Sequence, residues 1–346
     1  MLARTIMTRV GIKDVARTAG VSVTTVSHAL NGKGRLPART RERVRRVAVE
    51  LGYRPSATAR NLAGGRTGLL GLAVSQADGQ PFVLSDFAYF AQLMSAAASA
   101  AIERGFALVL TPPARGAGPS WSGIDVDGAV IVDPVRGDPY VRALREAGVP
   151  VVTTGRVPGD GEEATWVESD HVAGTFTVLD HLRRRGARRI ALVTSPLVTS
   201  YAIDGERAYR EWCLAHDNEV LVAMATDTLT EAAGYAATAA LLRRADPPDA
   251  VYATLDRLAL GTLLAAESHG VRVPDDLLVV GCTDSAAARA AKPALTALSV
   301  DPEAVGRRAV QLLADLVEGD PPAERRIVVP TRIVTRASTR RPARTA

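Results

Sequence analysis

The sequence predicts two folds in one chain: an all-α head with a helix-turn-helix pattern, then a larger two-lobed α/β body of parallel sheets flanked by helices. Three observations predict it. As far as Gly52, apolar residues recur at helical spacing in short runs broken by glycine. From Leu69 onward, short apolar runs alternate with helical stretches in two successive series. The charge divides as well: residues 1–66 carry 14 Lys+Arg against 3 Asp+Glu, and the remainder carries 28 against 34, for a net +5. A basic head on an acidic body suggests a polyanion-binding module joined to a part with a different partner.

In the head, Ile12, Val15, Ala16 and Ala19 lie on one face of a short helix that Gly20 ends. The pattern restarts at once. Ser22 caps a second helix with Val26, Ala29 and Leu30 inward, and Asn31-Gly32 stops it. A third begins near Pro37, buries Val44, Val47, Ala48 and Leu51, and stops at Gly52, with Arg39, Arg41, Arg43, Arg45 and Arg46 outward. If the second helix packs by its apolar stripe, Val23, Thr24, Thr25 and His28 point away from the core. Threonine hydroxyls and methyls and an imidazole suit base edges in a major groove. After Tyr53-Arg54-Pro55, Ser56 starts a helix of about two turns, too short to be stable alone. Leu62 would be its exposed apolar tip, a shape suited to wedging a minor groove.

The ordered stretches 12–16, 20–31, 40–44 and 51–55 resemble the LacI/GalR family of repressors, and the second helix, with its Thr-Thr-Val-Ser-His run, is similar to the purine-repressor branch. The resemblance implies DNA contacts from Ser22, Val23, Thr24, Thr25, His28 and Asn31, and a minor-groove leucine at Leu62. Gly11 stands where the family has a threonine cap.

In the body, 69–74, 107–110, 128–132 and 150–152 read as buried strands, and 189–193, 250–253 and 277–280 as a second series. Helices are expected over 93–104, 140–147, 172–185, 232–244 and 258–269. Ligands in such folds bind beyond the carboxyl ends of the strands. Asp133, Asp170, Asp256 and Asp284 stand near those ends, placed either to bind hydroxyls or amines or to cap the next helix. No dinucleotide fingerprint, phosphate loop or nucleophile elbow is present, so no catalytic residue and no cofactor is assigned. His171, His181, His216 and His269 are scattered.

The resemblance continues through 127–131, 144–152, 181–191, 256–261, 273–276, 294–296 and 306–309. It implies a periplasmic-binding-protein-like effector domain whose lobes are joined by three crossovers. The implied division is a head at 10–54, a hinge at 55–66 and an effector domain at 67–340. One lobe takes 67–166 and 286–320, the other 167–285 and 321–338, with the last strand, 327–334, in the second. The implied effector contacts are Tyr89, Phe90, Asp170, Asp256 and Asp284. Two departures bear on the ligand: Gly205 stands in place of the family's arginine, with Arg207 nearby, and Thr283 in place of an acid. A flatter or less hydroxylated effector, such as a nucleoside, a base or a modified sugar, is expected.

Length and composition set the remaining bounds. At 346 residues, two or three domains are expected. Cys213 and Cys282 have no ligand partners at metal spacing, so neither a disulfide nor a metal is expected, and a reducing compartment is. No apolar run has the length of a signal peptide or a membrane span, so a cytoplasmic protein starting at Met1 or Met7 is expected. No heptad tail follows Ser338, so a dimer on a palindromic operator is expected rather than a coiled-coil tetramer. Three functions fit: an effector-controlled repressor, a regulator without small-molecule control, and a metabolite-binding protein or enzyme fused to a DNA-binding head.

Overall fold

The computed structural model describes residues 10–31, 36–53, 66–75, 88–111, 125–161, 164–196, 198–225, 229–320 and 322–340. Leu62 and most of the expected hinge lie outside them. The chain divides into two units, one ending at Gly68 and the other starting at Leu69.

In the head, α1 (Ile12–Ala19) and α3 (Ala38–Glu50) are followed by glycines in the left-handed conformation, Gly20 at φ 64° and Gly52 at φ 67°, which satisfies the last carbonyls. At the start of α1 the Asp14 carboxylate accepts from the Gly11 amide at 3.0 Å. Gly11 has no side chain to return the bond, so only half of a capping box forms. Between them lies α2 (Val23–Asn31). Val15, Val26, Ala29 and Val44 are fully buried where the three helices meet, with Ile12, Leu30, Leu51 and Tyr53 packed around them.

The first sheet of the body holds β1 (Leu69–Val74), β2 (Ala107–Leu110), β3 (Gly128–Val132), β4 (Val151–Thr154), β5 (Trp166–Ser169) and β11 (Arg326–Val329), in the order β11-β5-β4-β3-β1-β2 and all parallel. Strand alternation sends Leu70, Leu72 and Val74 to one face, against α4 (Ala88–Glu103) and α11 (Pro302–Glu318), and Ala73 to the other, against α5 (Pro139–Glu146).

The second sheet holds β6 (Ile190–Thr194), β7 (Leu221–Met224), β8 (Ala250–Ala253), β9 (Leu278–Cys282), β10 (Thr296–Ser299) and β12 (Arg332–Val334), in the order β12-β10-β9-β8-β6-β7. Its strands are parallel except for β12, which runs antiparallel to β10. One face packs on α6 (His171–Arg184) and α7 (Ser200–Ala215), anchored by fully buried Tyr209, whose hydroxyl donates to Ile190 O at 2.8 Å. The other face packs on α8 (Glu231–Leu242), α9 (Asp256–Ser268) and the short α10 (Ala286–Ala290).

The lobe boundaries differ from those expected. The strand β5, ending at Ser169, belongs to the first lobe, and α10 and β10 stay in the second, because β10 pairs with β9 and buries Leu295 and Ala297 there. The last strand is not one strand. Its first half pairs with β5 in the first sheet and its second half with β10 in the second. Pro330, which has no amide to donate to a ladder, interrupts it. The chain therefore crosses between lobes near 170, 300 and 330. These crossings bond to one another: Ser169 Oγ donates to Val300 O at 2.6 Å, Asp170 N to Val329 O at 2.9 Å, and Thr331 Oγ1 to Asp170 O at 3.2 Å.

The α4–α11 pair closes the first lobe, and Gly306 permits its approach. A Cβ at Gly306 would sit 2.3 Å from Leu93 O, a backbone atom that cannot rotate aside. Gly306→Ala should therefore destabilise the body by about 1–3 kcal/mol, as overpacking does; urea unfolding monitored by tryptophan fluorescence would show the midpoint falling.

Candidate functional site

Within the head, α2 is held by its start. Ser22 Oγ accepts from Thr25 N at 3.1 Å and lies 2.9 Å from Thr25 Oγ1. With Val26 and Ala29 buried, Val23, Thr24 and His28 are exposed and Thr25 is half-buried, its hydroxyl turned toward Ser22. Asn31 closes the helix. On α3, Arg39, Arg43, Arg45 and Arg46 are exposed and Arg41 is half-buried. The result is an outward helix with a polar N-terminal turn, on a domain rich in cations.

In the body, the carboxyl ends of the two sheets face each other across a cleft. Its walls include Asp133 after β3, Ser195 after β6, Thr254 after β8, and Tyr89 and Phe90 from the first turn of α4. The Tyr89 and Phe90 rings meet edge to face, with centroids 5.3 Å apart. Across from them, His171 and Tyr201 open α6 and α7 with ring centroids 5.6 Å apart.

Of the five residues expected here, Tyr89, Phe90 and Asp256 line the cleft. Asp170 and Asp284 are used elsewhere. The Asp170 carboxylate accepts from Ala173 N at 2.9 Å as the cap of α6. Asp284 Oδ1 is paired with Arg336 at 2.7 Å and with Arg289 at 3.4 Å. The cleft is also lined by His171, Ser195, Thr199 and Tyr201, none of them among the expected contacts, and by Asp133, which the sequence places only near a strand end. Asp133 carried a signal, its place at the end of a buried run; the others are polar residues on helix starts and loops with no motif.

Charge in the cleft is one-sided. No Lys or Arg is among its described lining residues, whereas Asp133, Glu168 and Asp256 are. Desolvation pushes the Asp133 carboxyl up to about 7. Its backbone is in the left-handed region, φ 49°. Burial pushes the His171 imidazole down to about 4, so it is neutral at pH 7. Burial, then the Asp133 charge, raises Tyr89 and pushes Tyr201 up to about 12. Asp256 accepts from Arg257 N at 2.8 Å. Gly205 lies buried in α7, and Arg207 lines a separate outer groove, where it pairs with Asp204 at 3.2 Å.

At the cleft's edge the lobes touch. Arg156, after β4, donates Nε to Glu168 at 2.8 and 3.0 Å and an Nη to Asp204 of α7. The Arg156 amide donates to Ser200 Oγ at 3.2 Å, and Val135 forms an antiparallel bridge with Thr199. Burial raises Glu168, with Arg156 opposing the shift.

Residues 11–56 match the lacI family of bacterial regulatory proteins, and residues 179–339 match a periplasmic binding protein-like domain. The HTH-type transcriptional regulator CelR of Thermobifida fusca is 35% identical over 336 residues, spanning 94% of this chain and 97% of that protein. The chain belongs to the lacI family. Like the relatives it matches, it is a transcriptional regulator with a helix-turn-helix head. The transcriptional repressor PurR of Salmonella newport is 28% identical over 346 residues, spanning 94% of this chain and 96% of that one. Among solved structures, a CelR–cellobiose complex superposes with TM-score 0.73 at 34% identity, covering 95% of this chain and 100% of that one. A lac repressor dimer bound to operator and the anti-inducer ONPF does so with TM-score 0.76 at 26% identity, covering 96% and 99%. Among the described residues no helix is long and apolar enough to cross a membrane, and no group of side chains is arranged to hold a metal ion.

For this lacI-family chain the cleft yields two expectations. Asp133 keeps its proton in the folded state to about pH 7, whereas an unfolded aspartate loses it near 3.8, so folding is progressively penalised as pH rises through that window. Asp133→Asn should raise the melting temperature at pH 8 and leave it unchanged at pH 3; equal shifts at both would point to packing instead. Arg156→Met should favour open lobes, seen as a larger radius of gyration in small-angle scattering without ligand, and Glu211→Gln, on the outer surface, should not.

Proposed function

We propose that this regulator is a repressor that binds a near-palindromic operator as a homodimer, and that a small hydroxylated molecule in the interlobe cleft sets its affinity for DNA. The observation that carries the reading is a cleft whose two walls belong to different lobes and offer hydroxyls, carboxyls and an aromatic pair. A molecule touching both walls prefers the closed arrangement, and that difference in affinity is what shifts an equilibrium. The operator-bound dimer of a similar protein supports the DNA half of the reading, and the cellobiose complex of another supports a sugar as effector.

The division of labour follows. Residues 10–54 read DNA, 55–66 form the hinge, and the chain from 67 binds effector and dimerises. Ser22 sets the start of α2 and, with Val23, Thr25 and Asn31, meets the backbone and groove edge, while Thr24 and His28 reach bases and Leu62 enters the minor groove. Acting on the chromosome, the protein works in the cytoplasm. A regulator without small-molecule control is the second reading, favoured by Gly205 and Thr283, which supply neither charge of the expected grip.

Fluorescence anisotropy on an operator found upstream of the gene tests this. Thr24→Ala and His28→Ala should each lose about 1–3 kcal/mol at a particular base pair. Leu62→Ala should weaken operator binding with the melting temperature unchanged, and affinity should fall steeply with salt. Full affinity of a monomer for one half-site would refute the dimer, and operator binding indifferent to every cleft ligand would favour the second reading.

A further inference from the structure

We propose that the effector carries an amine, and that this ammonium group pairs with Asp133: the cleft is built for an amino sugar rather than for a neutral or acidic one. The inference rests on the effector reading above and specifies its chemistry. Each other carboxylate on the cleft wall has a partner within the protein. Glu168 is held by the Arg156 guanidinium, and Asp256 accepts from the amide of Arg257. The Asp133 carboxylate makes no hydrogen bond or ion pair among the described residues, and no Lys or Arg lines the cleft beside it. Arg136, three residues on, is turned to the outer groove, its Nη1 2.7 Å from where a Gly159 Cβ would be.

A desolvated acid without a counter-charge is costly. Burial alone accounts for its raised proton affinity, with no compensating cation. Its left-handed backbone is a further cost, of the kind tolerated where a side chain must be aimed. A ligand that arrives with a positive charge removes the first cost, whereas a neutral hydroxyl removes only part of it and an anion adds to it.

The rest of the wall asks for hydroxyls. Ser195 and Thr199 are at least nine-tenths buried, and their hydroxyls lie beside the Tyr201 phenol but short of hydrogen-bond geometry. The Tyr89–Phe90 pair offers an apolar surface to a sugar face. An ammonium beside hydroxyls on a ring with an apolar C–H face is the chemistry of an amino sugar.

Isothermal titration of the full chain at pH 7 would compare three probes of one shape: the β-1,4-linked glucosamine disaccharide, its N-acetylated form and cellobiose. The glucosamine disaccharide should bind about tenfold or more tightly than cellobiose, a difference of about 1.4 kcal/mol, and the acetylated form should lose that advantage with its charge. Asp133→Asn, which places a residue that tolerates the left-handed backbone, should abolish the preference, bringing the glucosamine disaccharide and cellobiose to within about threefold of each other. Circular dichroism would confirm that the variant is folded; were it not, Asp133→Ser would replace it.

Cellobiose binding as tightly as the amine and releasing the operator would overturn the amine preference and leave effector control standing. An amine preference that survives in a folded Asp133 variant would also overturn the assignment. If none of the three bound and none altered operator affinity, this proposal would fall together with the effector reading beneath it.

Discussion

Everything in the body depends on three backbone crossings that lie side by side and bond to one another. Ser169 to Val300, Asp170 to Val329 and Thr331 to Asp170 make a short three-stranded strap between lobes that otherwise have separate sheets and cores. Such a strap resists sliding of one lobe past the other. It permits a hinge, because rotation can be absorbed at a few backbone positions between the last residue of one lobe and the first of the next. The cleft lies beside the strap, so hinge rotation changes the separation of its walls.

Among the described residues the lobes also meet through Tyr89, which packs against the cores of both, and through polar contacts at the cleft edge. Arg156 is 40% exposed, so its pair with Asp204 is an ion pair open to water, of the kind contributing about 1 kcal/mol or less. Ser200 and the Val135–Thr199 bridge add two hydrogen-bonded contacts. Moving a two-state equilibrium from mostly open to mostly closed takes about 5.5 kcal/mol of differential binding. The polar contacts at the cleft edge fall short of that by themselves, and on the proposed effector reading a ligand touching both walls would add to them.

The sequence was most legible where the determinants are local. Glycine after a short apolar repeat marks α1 and α3, and runs such as Gly128–Val132, buried on both sides, announce a parallel strand. It was least legible where a distant partner decides. Trp166–Ser169 contains Glu168 and Ser169 and does not read as buried; β4 and β11 make it a strand. The interval 327–334 reads as one strand until Pro330 is given its weight. The aspartates teach the same point. A carboxylate after a strand has two uses; the family resemblance implies a place in the cleft for Asp284, and nothing near it in sequence reveals Arg336, which takes it. Asp170 caps α6 for a local reason that is legible in the sequence, and Asp133 carries a signal of its own, its place directly after the buried run of β3.

Gly205 shows how far a substitution at one position reaches. Glycine inside a helix costs about 1 kcal/mol relative to alanine. At Gly234, Gly261 and Gly306 packing accounts for it, since a Cβ would fall 2.1–2.5 Å from a backbone oxygen of the neighbouring helix. At Gly205 the nearest atom to a Cβ would be Thr175 Oγ1 at 3.8 Å, an ordinary contact. Packing therefore does not account for this glycine, and its consequence is electrostatic. Gly205 is not among the described lining residues of the cleft and faces Thr175 of α6, so the family's arginine has no counterpart on this wall. Asp133 thus stands on a wall where no described residue offers a cation, burial raises its proton affinity, and a cation reaching it would favour the ionised form instead.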